Sequence, residues 1–299
     1  MTASGVPAHH PVTAFVFAGG GGRGACQVGM LRALFEAGIV PDLVVGASVG
    51  ALNGVIVAAD PTPRSVARLE GIWRGLDATR LFPATRLVSL LRYTQRRRSV
   101  FPAEPLMSFI ASHVPVADLA ETTVPIEVIL ADARTGKAGW FRAGPAVALL
   151  YGTSAIPGVL PPLLYEGQEW VDGGVLHDTP VLRAAELGAE RIVVLLTGTL
   201  ADPLPSHERP LEALVRSMTL TKRAQLATEL AIARERAEVI VFECPAGNAL
   251  DALDFSQTSL LIESGLRSAE RLLADYRTKT RTTPLATVAS PLGALEPRG

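Results

Sequence analysis

The chain has 299 residues, of which 48% are hydrophobic and 19% charged, so it has enough apolar material for a large core and is not intrinsically disordered. Its formal net charge of −1 excludes the basic surface of a nucleic-acid-binding domain, and no nucleic-acid partner is expected. The two cysteines, Cys26 and Cys244, are too few and too far apart in sequence for a disulfide framework or a zinc site, which favours a reducing compartment.

The chain shows neither a signal peptide nor a convincing membrane span. No Lys or Arg stands between Met1 and Pro11, and the apolar run that follows is short. Two longer uncharged stretches, Leu43 to Ala59 and Ala143 to Tyr165, are interrupted by glycines or prolines and would make poor lipid-facing helices. We therefore expect a cytoplasmic protein.

Short aliphatic runs alternate with amphipathic stretches, a pattern that predicts an α/β fold with a mostly parallel sheet. Strands are expected at Thr13 to Ala18, Asp42 to Val45, Ile126 to Ala131, Arg191 to Leu196 and Val239 to Glu243. Helices are expected at Ala25 to Ala37, Val49 to Asp60, Pro63 to Leu76, Pro105 to His113, Pro180 to Leu187, Leu211 to Arg236 and Leu260 to Tyr276.

The domain boundaries follow from the same pattern. The Pro- and Gly-rich stretch from Trp140 to Asp178 predicts loops and a hairpin without long elements. We expect a single domain over residues 12–276, with flexible termini at residues 1–11 and 277–299.

A glycine run follows the first predicted strand. Gly19 to Gly24 has glycine at every position but Arg23, and glycine permits the positive φ angles that aim successive N–H groups at one point. The following helix adds the positive end of its dipole, so the run predicts an anion site. A flexible connector and a dinucleotide-binding fingerprint, Gly19-x-Gly21-x-x-Gly24, are the alternatives.

The second predicted strand leads into Gly46-x-Ser48-x-Gly50 and a helix. Small residues on both sides allow a tight, strained turn that projects the serine hydroxyl at the N-terminus of the helix. This is the geometry of a nucleophile. The same pattern in isolation also fits a serine N-cap.

Arginines alternate with apolar side chains between Leu81 and Phe101. The basic residues in and next to this segment are Arg80, Arg86, Arg92, Arg96, Arg97 and Arg98. An amphipathic basic segment can rest on anionic headgroups, which predicts peripheral contact with the inner face of the membrane. The alternative is a solvated cap whose apolar face lies in the core.

A serine nucleophile needs a base. Three histidines follow it in the chain, His113, His177 and His207, but none stands in a strand-to-helix turn. Asp172 is preceded by apolar residues in the stretch Trp170 to Gly174, and desolvation there would raise the pKa of its carboxyl, as a base at neutral pH requires. An Asp-Gly hairpin turn is the alternative interpretation.

Four blocks together, in this order, resemble the patatin-like phospholipase family: Gly20 to Gly24, Gly46 to Gly50, Gly152 to Pro161, and Asp172 to Gly174. The resemblance covers about residues 12–180. It implies a three-layer α/β/α fold, a Ser-Asp dyad instead of a triad, and hydrolysis of acyl esters in glycerophospholipids or related lipids. It also implies that no metal or organic cofactor takes part.

Membership of this family would make Ser48 the nucleophile and Asp172 the general base. The glycine loop, Gly20, Gly21 and Gly22, would form the oxyanion hole, supported by the neighbouring Arg23 and Val49. We therefore predict a serine acyl hydrolase of the phospholipase A or lysophospholipase type, whose partner is a phospholipid or another acyl-ester lipid. The sequence indicates no protein partner.

One residue departs from the family pattern. Asp178-Thr179-Pro180 stands where such proteins commonly have Asn-x-Pro, and an Asp178 close to Asp172 would raise the pKa of that base by like-charge repulsion. Two other functions remain open. One is a catalytically weak lipid-binding or regulatory protein. The other is a nucleotide-dependent oxidoreductase, for which Asp42 stands near the expected distance but precedes its strand.

Overall fold

The computed structural model describes residues 11–82, 99–202, 210–249 and 254–282, and the described strands form one sheet. The strands are β1 (Thr13–Phe17), β2 (Leu43–Gly46), β3 (Ile126–Asp132), β4 (Ala138–Phe141), β5 (Leu163–Tyr165), β6 (Gln168–Asp172), β7 (Arg191–Leu195) and β8 (Glu238–Phe242). Their order across the sheet is β5-β6-β3-β2-β1-β7-β8, and β4 pairs with β3 outside this path. Strands β3, β2, β1, β7 and β8 are mutually parallel, whereas β4, β5 and β6 pair in antiparallel fashion.

The described helices connect these strands and cover both faces of the sheet. They are α1 (Ala25–Glu36), α2 (Val49–Ala59), α3 (Pro63–Gly75), α4 (Ala78–Leu81), α5 (Glu104–His113), α6 (Ala146–Thr153), α7 (Val181–Glu186), α8 (Pro210–Arg234) and α9 (Thr258–Thr282). Among them, none combines the length and apolar character needed to cross a bilayer.

Alternate residues of β1 show how the two cores are divided. Phe15 and Phe17 lie in the larger core, together with buried residues of α1, α2, α3, α5, α6 and α9. Ala14 and Val16 point to the opposite face and pack in a smaller core with α7 and α8. The central strands are therefore buried on both faces, as parallel strands between helical layers are. The three-layer α/β/α fold expected from the family resemblance is confirmed.

All five expected strands are present, and the expected hairpin is formed by β5 and β6. Helix α6 was not expected. Most of its residues, including Leu149 and Tyr151, are buried, so it lacks the polar face that makes a helix visible as a periodic pattern. Helix α9 continues past Tyr276 to Thr282, while residues 1–10 and 283–299 of the expected flexible termini lie outside the described residues.

The two cysteines are neighbours in the fold despite their separation in sequence. Both thiols are free and fully buried, Cys26 near the start of α1 and Cys244 just after β8. Burial raises the pKa of the Cys26 thiol, and a hydrogen bond with Cys244 raises it further. Distance along the chain was therefore a poor guide to distance in space.

Helices α1 and α9 approach each other so closely that no side chain fits between their backbones. A Cβ atom on Gly29 would lie 2.0 Å from the carbonyl oxygen of Ile262. A Cβ atom on Gly265 would lie 2.1 Å from the carbonyl oxygen of Cys26. Glycine at both positions therefore sets the spacing of the two helices.

We expect Gly29→Ala to lower the free energy of unfolding by about 1–3 kcal/mol, because the added methyl group must push α9 away from α1. Gly71→Ala in α3 is the matched control, since nothing lies within 4 Å of a Cβ atom there. That change should stabilise the protein by about 0.5–1 kcal/mol through helix propensity. Urea denaturation of both variants checks this, and equal effects would contradict the close packing.

Candidate active site

The register of the sheet brings the two predicted catalytic residues to the same level. Gly46 at the end of β2 lies opposite Val128 of β3. Asp172 at the end of β6 lies opposite Leu130 on the same strand. Ser48 stands two residues beyond Gly46, just past this end of β2, and its side chain hydrogen-bonds to Asp172. Residues far apart in the chain thus meet at one edge of the sheet.

Ser48 occupies a strained backbone conformation, with φ 53° and ψ −132°, between β2 and α2. Its N–H donates to Thr153 Oγ1 at 3.0 Å, and that hydroxyl donates to the carbonyl of Ile129 at 2.6 Å. On the other side, a Cβ atom on Gly50 would lie 2.4 Å from the carbonyl oxygen of Phe17. The turn is held from both sides, and it has the strand-turn-helix form predicted for the Gly46-x-Ser48-x-Gly50 motif.

The glycine loop lies beside this turn because β1 and β2 are neighbouring parallel strands. Gly20 and Gly21 have φ angles of 152° and 58°, which residues other than glycine rarely adopt. Thr197, just beyond β7, donates its hydroxyl to the carbonyl of Gly19 at 2.7 Å. A Cβ atom on Gly20 would lie 2.3 Å from the same hydroxyl oxygen, so the loop is fitted closely against the end of β7.

The N–H groups of Gly20, Gly21 and Gly22 donate to no backbone acceptor within the part of the chain that the structure describes. Arg23 turns back and donates its Nε to the carbonyl of Gly20 at 3.2 Å, which holds the loop in shape. Val49 supports it from α2, packing against Gly24. The loop therefore has the free donors that an oxyanion site requires.

A buried polar network joins the loop to α2 and α3. Asn53 donates its amide to the carbonyl of Gly24 at 3.0 Å and to Gln27 Oε1 at 2.8 Å. Trp73 in turn donates its indole N–H to Asn53 Oδ1 at 2.9 Å. Sequence reasoning missed Asn53, Gln27, Trp73 and Thr153, because a single polar residue in an apolar stretch carries no signal of its distant partners.

Asp172 is 5% exposed and accepts the N–H of Gly174 at 2.7 Å. Burial raises the pKa of its carboxyl to about 6, in the direction that its apolar neighbours predicted. The Gly174 N–H, a hydrogen bond with the Ser48 side chain and the positive charge of Lys222 oppose that rise only in part. The Asp-Gly-Gly stretch begins a short 3₁₀ turn capped by Asp172, and not a hairpin turn.

Asp178 lies close to Asp172, as the departure from the family pattern suggested. Its negative charge raises the pKa of Asp172, but burial contributes more. Lys222 of α8 pairs with the Asp178 carboxylate at 2.7 Å, and its positive charge lowers the pKa of Asp172 by at least as much as Asp178 raises it. No sequence motif pointed to this lysine.

The two histidines that the structure describes are hydrogen-bonded to other groups. His177 Nδ1 is hydrogen-bonded to Glu229 Oε1 at 2.8 Å. His113 Nδ1 is hydrogen-bonded to the carbonyl of Phe109 at 2.8 Å. His207 lies outside the described residues. Both described histidines thus have partners other than Ser48.

An apolar cavity of about 870 Å³, including its open mouth, leads away from Ser48 and Gly21. It runs between α2, α3 and α5, and its walls include Leu52, Ile56, Leu69, Trp73, Leu106 and Ile110. The arrangement can accept a flexible apolar chain that ends at the serine.

Two further sequence expectations concern charge. Of the arginine-rich segment predicted to touch a membrane, residues 83–98 lie outside the described residues; Arg80 is described and pairs with Asp77 at 3.4 Å. Asp42, considered as a ribose-binding acid, accepts the N–H of Thr13 at 2.8 Å at the start of β1, the end of the strand opposite to the glycine loop. In the described ranges, no three His, Cys, Asp or Glu side chains are grouped as a metal site.

A mostly parallel sheet between two layers of helices, with a strained serine turn and a glycine loop after adjacent strands, defines a three-layer α/β/α protein. The model of the patatin-like phospholipase family matches residues 15–185, which is more than half of the chain. The chain therefore belongs to the patatin-like phospholipase family, and the resemblance of its four sequence blocks is confirmed. Asp42 lies at the end of β1 opposite to the glycine loop, so it adds no support to the dinucleotide-binding interpretation.

Proteins similar in sequence to this chain occur in bacteria and in fungi. An uncharacterised NTE family protein of Mycobacterium tuberculosis is 28% identical over 199 residues, covering 66% of this chain and 52% of the relative. Lysophospholipase NTE1 of Mycosarcoma maydis is 29% identical over 204 residues, covering 64% of this chain and 10% of the relative. The chain thus spans at most about half the length of these relatives.

Two solved structures share the fold. VipD from Legionella pneumophila superposes with a TM-score of 0.51 at 14% identity, over 89% of this chain and 67% of that one. Human GIVD cytosolic phospholipase A2 superposes with a TM-score of 0.50 at 12% identity, over 90% of this chain and 59% of that one.

We expect Thr153→Val to lower the free energy of unfolding by about 1–3 kcal/mol, because it leaves the buried Ser48 N–H and Ile129 carbonyl without their shared partner. Thr153→Ser keeps the hydroxyl and should lose less than about 1 kcal/mol, mainly through the missing methyl group. Urea denaturation compares the two. A loss in Thr153→Ser as large as that in Thr153→Val would show that the methyl group stabilises the turn as much as the hydroxyl does.

Proposed function

We propose that this protein is a serine acyl hydrolase that cleaves acyl esters of phospholipids or lysophospholipids, with Ser48 as nucleophile and Asp172 as general base. The observation that carries the proposal is the meeting of three features at one point. A serine in a strained turn contacts a buried carboxylate of raised pKa, and the same serine lines an apolar cavity. Membership of the patatin-like phospholipase family supports the reaction class.

The proposed reaction begins when the Asp172 carboxylate accepts the Ser48 hydroxyl proton as Oγ attacks the ester carbonyl carbon. The carbonyl oxygen becomes an oxyanion and receives hydrogen bonds from the N–H groups of Gly20, Gly21 and Gly22. Collapse of this intermediate breaks the bond to the alcohol, which leaves with the proton from Asp172. Water, deprotonated by Asp172, then attacks the acyl-enzyme, and the acid is released as Ser48 regains its proton.

The environment of Asp172 suits this double role. With a pKa of about 6, the group is mostly carboxylate at pH 7 and still more basic than an exposed aspartate. Asp178 is the rival base, but its Oδ1 is occupied by Lys222 at 2.7 Å. The hydrogen bond from the Gly174 N–H uses only part of the acceptor capacity of the Asp172 carboxylate, so the serine hydroxyl can bind to it as well.

The cavity supports a lipid substrate. An acyl chain whose carbonyl carbon lies at Ser48 would bury its methylene groups against apolar walls, each contributing about 0.8 kcal/mol. The Mycosarcoma maydis relative is named a lysophospholipase, which agrees with a substrate of this class. Headgroup contact by the arginine-rich segment, and with it a peripheral position at a membrane, is part of the same proposal.

We expect Ser48→Ala and Asp172→Asn each to lower kcat on p-nitrophenyl butyrate by roughly 10³-fold or more, because nucleophile and base act as one unit. Ser48→Ala should also abolish labelling by a fluorophosphonate probe. Asp132→Asn is the control, since that carboxylate caps an exposed turn through Arg134 and Thr135 and should keep its activity.

Three outcomes would contradict the proposal in different ways. Labelling and turnover that survive in Ser48→Ala would exclude this serine as the nucleophile. An active Asp172→Asn together with an inactive Asp178→Asn would transfer the base to Asp178. A fluorophosphonate-labelled wild type without turnover of any phospholipid or lysophospholipid would favour the lipid-binding alternative.

We expect Leu76→Trp to lower kcat/KM for p-nitrophenyl palmitate by about tenfold or more, because a larger side chain at this lining position displaces at least two methylene groups of the acyl chain. Activity on p-nitrophenyl acetate should change by less than about twofold. Leu164→Trp is the matched control, because Leu164 is 72% exposed on β5. Equal loss on both esters would place the acyl chain elsewhere.

A further inference from the structure

The Asp178 carboxylate stands between the two halves of the site. A Cβ atom on Gly19 would lie 2.8 Å from Asp178 Oδ1 and 3.4 Å from Ser48 Cβ. A Cβ atom on Gly174 would lie 2.9 Å from the same Asp178 oxygen and 3.0 Å from Asp172 Oδ1. The glycine loop, the serine turn and the Asp172 turn therefore all converge on this one carboxylate.

Lys222 holds that carboxylate from a separate element. Its Nζ lies 2.7 Å from Asp178 Oδ1 and 3.7 Å from the position of a Cβ atom on Gly174. Both side chains are only about one-third exposed, at 35% for Lys222 and 27% for Asp178. The backbone of Asp178 is also engaged, because its carbonyl accepts the N–H of Gly19 at 2.8 Å.

Resting on the proposed function, we propose that the Lys222–Asp178 ion pair is a positioning element of the site. Lys222 cancels the negative field of Asp178 at Asp172 and holds Asp178 between the glycine loop and the Asp172 turn. Asp178 replaces the amide expected from the family pattern, and Lys222 supplies from α8 the charge that makes the replacement compatible with an ionised base.

The charges around Asp172 come from few groups. Lys222 and Asp178 act on it with opposite signs, while the Ser48 side chain and the Gly174 N–H hydrogen-bond to it. About two turns further along α8, Glu229 is paired with His177. A single substitution in the Lys222–Asp178 pair therefore changes the net charge next to Asp172.

The ion pair predicts the direction in which each substitution shifts the pH dependence of kcat/KM. Asp172 must be ionised to accept the serine proton, so kcat/KM should rise with pH through its pKa of about 6. Loss of Lys222 removes a charge that lowers this pKa and exposes the repulsion of Asp178, so the acid limb should move to higher pH. Loss of the Asp178 charge should move it to lower pH.

The test is the pH profile of kcat/KM on p-nitrophenyl butyrate for Lys222→Gln, Asp178→Asn and the double variant. We expect the Lys222→Gln midpoint to rise by about one pH unit, with a roughly tenfold loss on the acid side and little loss at pH 9. Asp178→Asn should move the midpoint down, and the double variant should return it to near the wild-type value. Lys222→Arg should preserve the midpoint.

Arg223→Gln is the matched control, because it removes the neighbouring cation of α8, which donates to the carbonyl of Asp202. Its midpoint should stay where it is. The inference would be overturned if kcat/KM of Lys222→Gln fell equally at every pH with no shift of the midpoint. An equal shift of the midpoint in Arg223→Gln would also overturn it. If Lys222→Gln does not fold, a failure of Asp178→Asn to lower the midpoint overturns it as well.

Failure of the ion-pair inference is distinguishable from failure of the proposed function. Activity that survives in Ser48→Ala would exclude the proposed nucleophile whatever the pH profiles show. An inactive Ser48→Ala combined with unmoved midpoints would leave the hydrolase in place and remove only the role of the Lys222–Asp178 pair.

Discussion

The Ser48 turn depends on the two hydrogen bonds of the Thr153 hydroxyl, which link it to the carbonyl of Ile129 in β3. A serine with positive φ costs of order 1–3 kcal/mol, and such a conformation persists only where the surrounding structure imposes it. Helix α6 supplies Thr153, and the carbonyl of Ala155, just after that helix, accepts the N–H of Asp172. One short buried helix thus positions both proposed catalytic residues.

The site combines a buried acid with a nearby ion pair. Burial alone would keep Asp172 protonated over a wider pH range, whereas hydrogen bonds and the Lys222 charge bring its pKa to about 6. An aspartate that is too acidic would be a weak base, and one that is too basic would be protonated at neutral pH. The surroundings of Asp172 therefore balance desolvation against positive charge instead of minimising either.

The glycine loop and the cavity have different origins in the fold. The loop follows from parallel strands, since the ends of β1, β2 and β7 meet at one edge and leave Gly20 to Gly22 beside Ser48. The cavity follows from helices, because α2, α3 and α5 leave apolar space between them. The proposed hydrolysis of a lipid ester requires both features: polar N–H groups beside the reacting ester, and an apolar cavity for the acyl chain.

The sequence by itself determined the α/β class, the strands β1, β2, β3, β7 and β8, and the candidate residues Ser48 and Asp172, because hydrophobic periodicity and glycine motifs are local signals. Helix α6 escaped prediction because burial on nearly every side removed its periodicity. The buried amide network and the contact between Cys26 and Cys244 also escaped it. Only the tertiary structure decided that Asp178 would be paired with Lys222, since an ion pair between a loop and a distant helix depends on how α8 packs against the sheet and leaves no pattern along the chain.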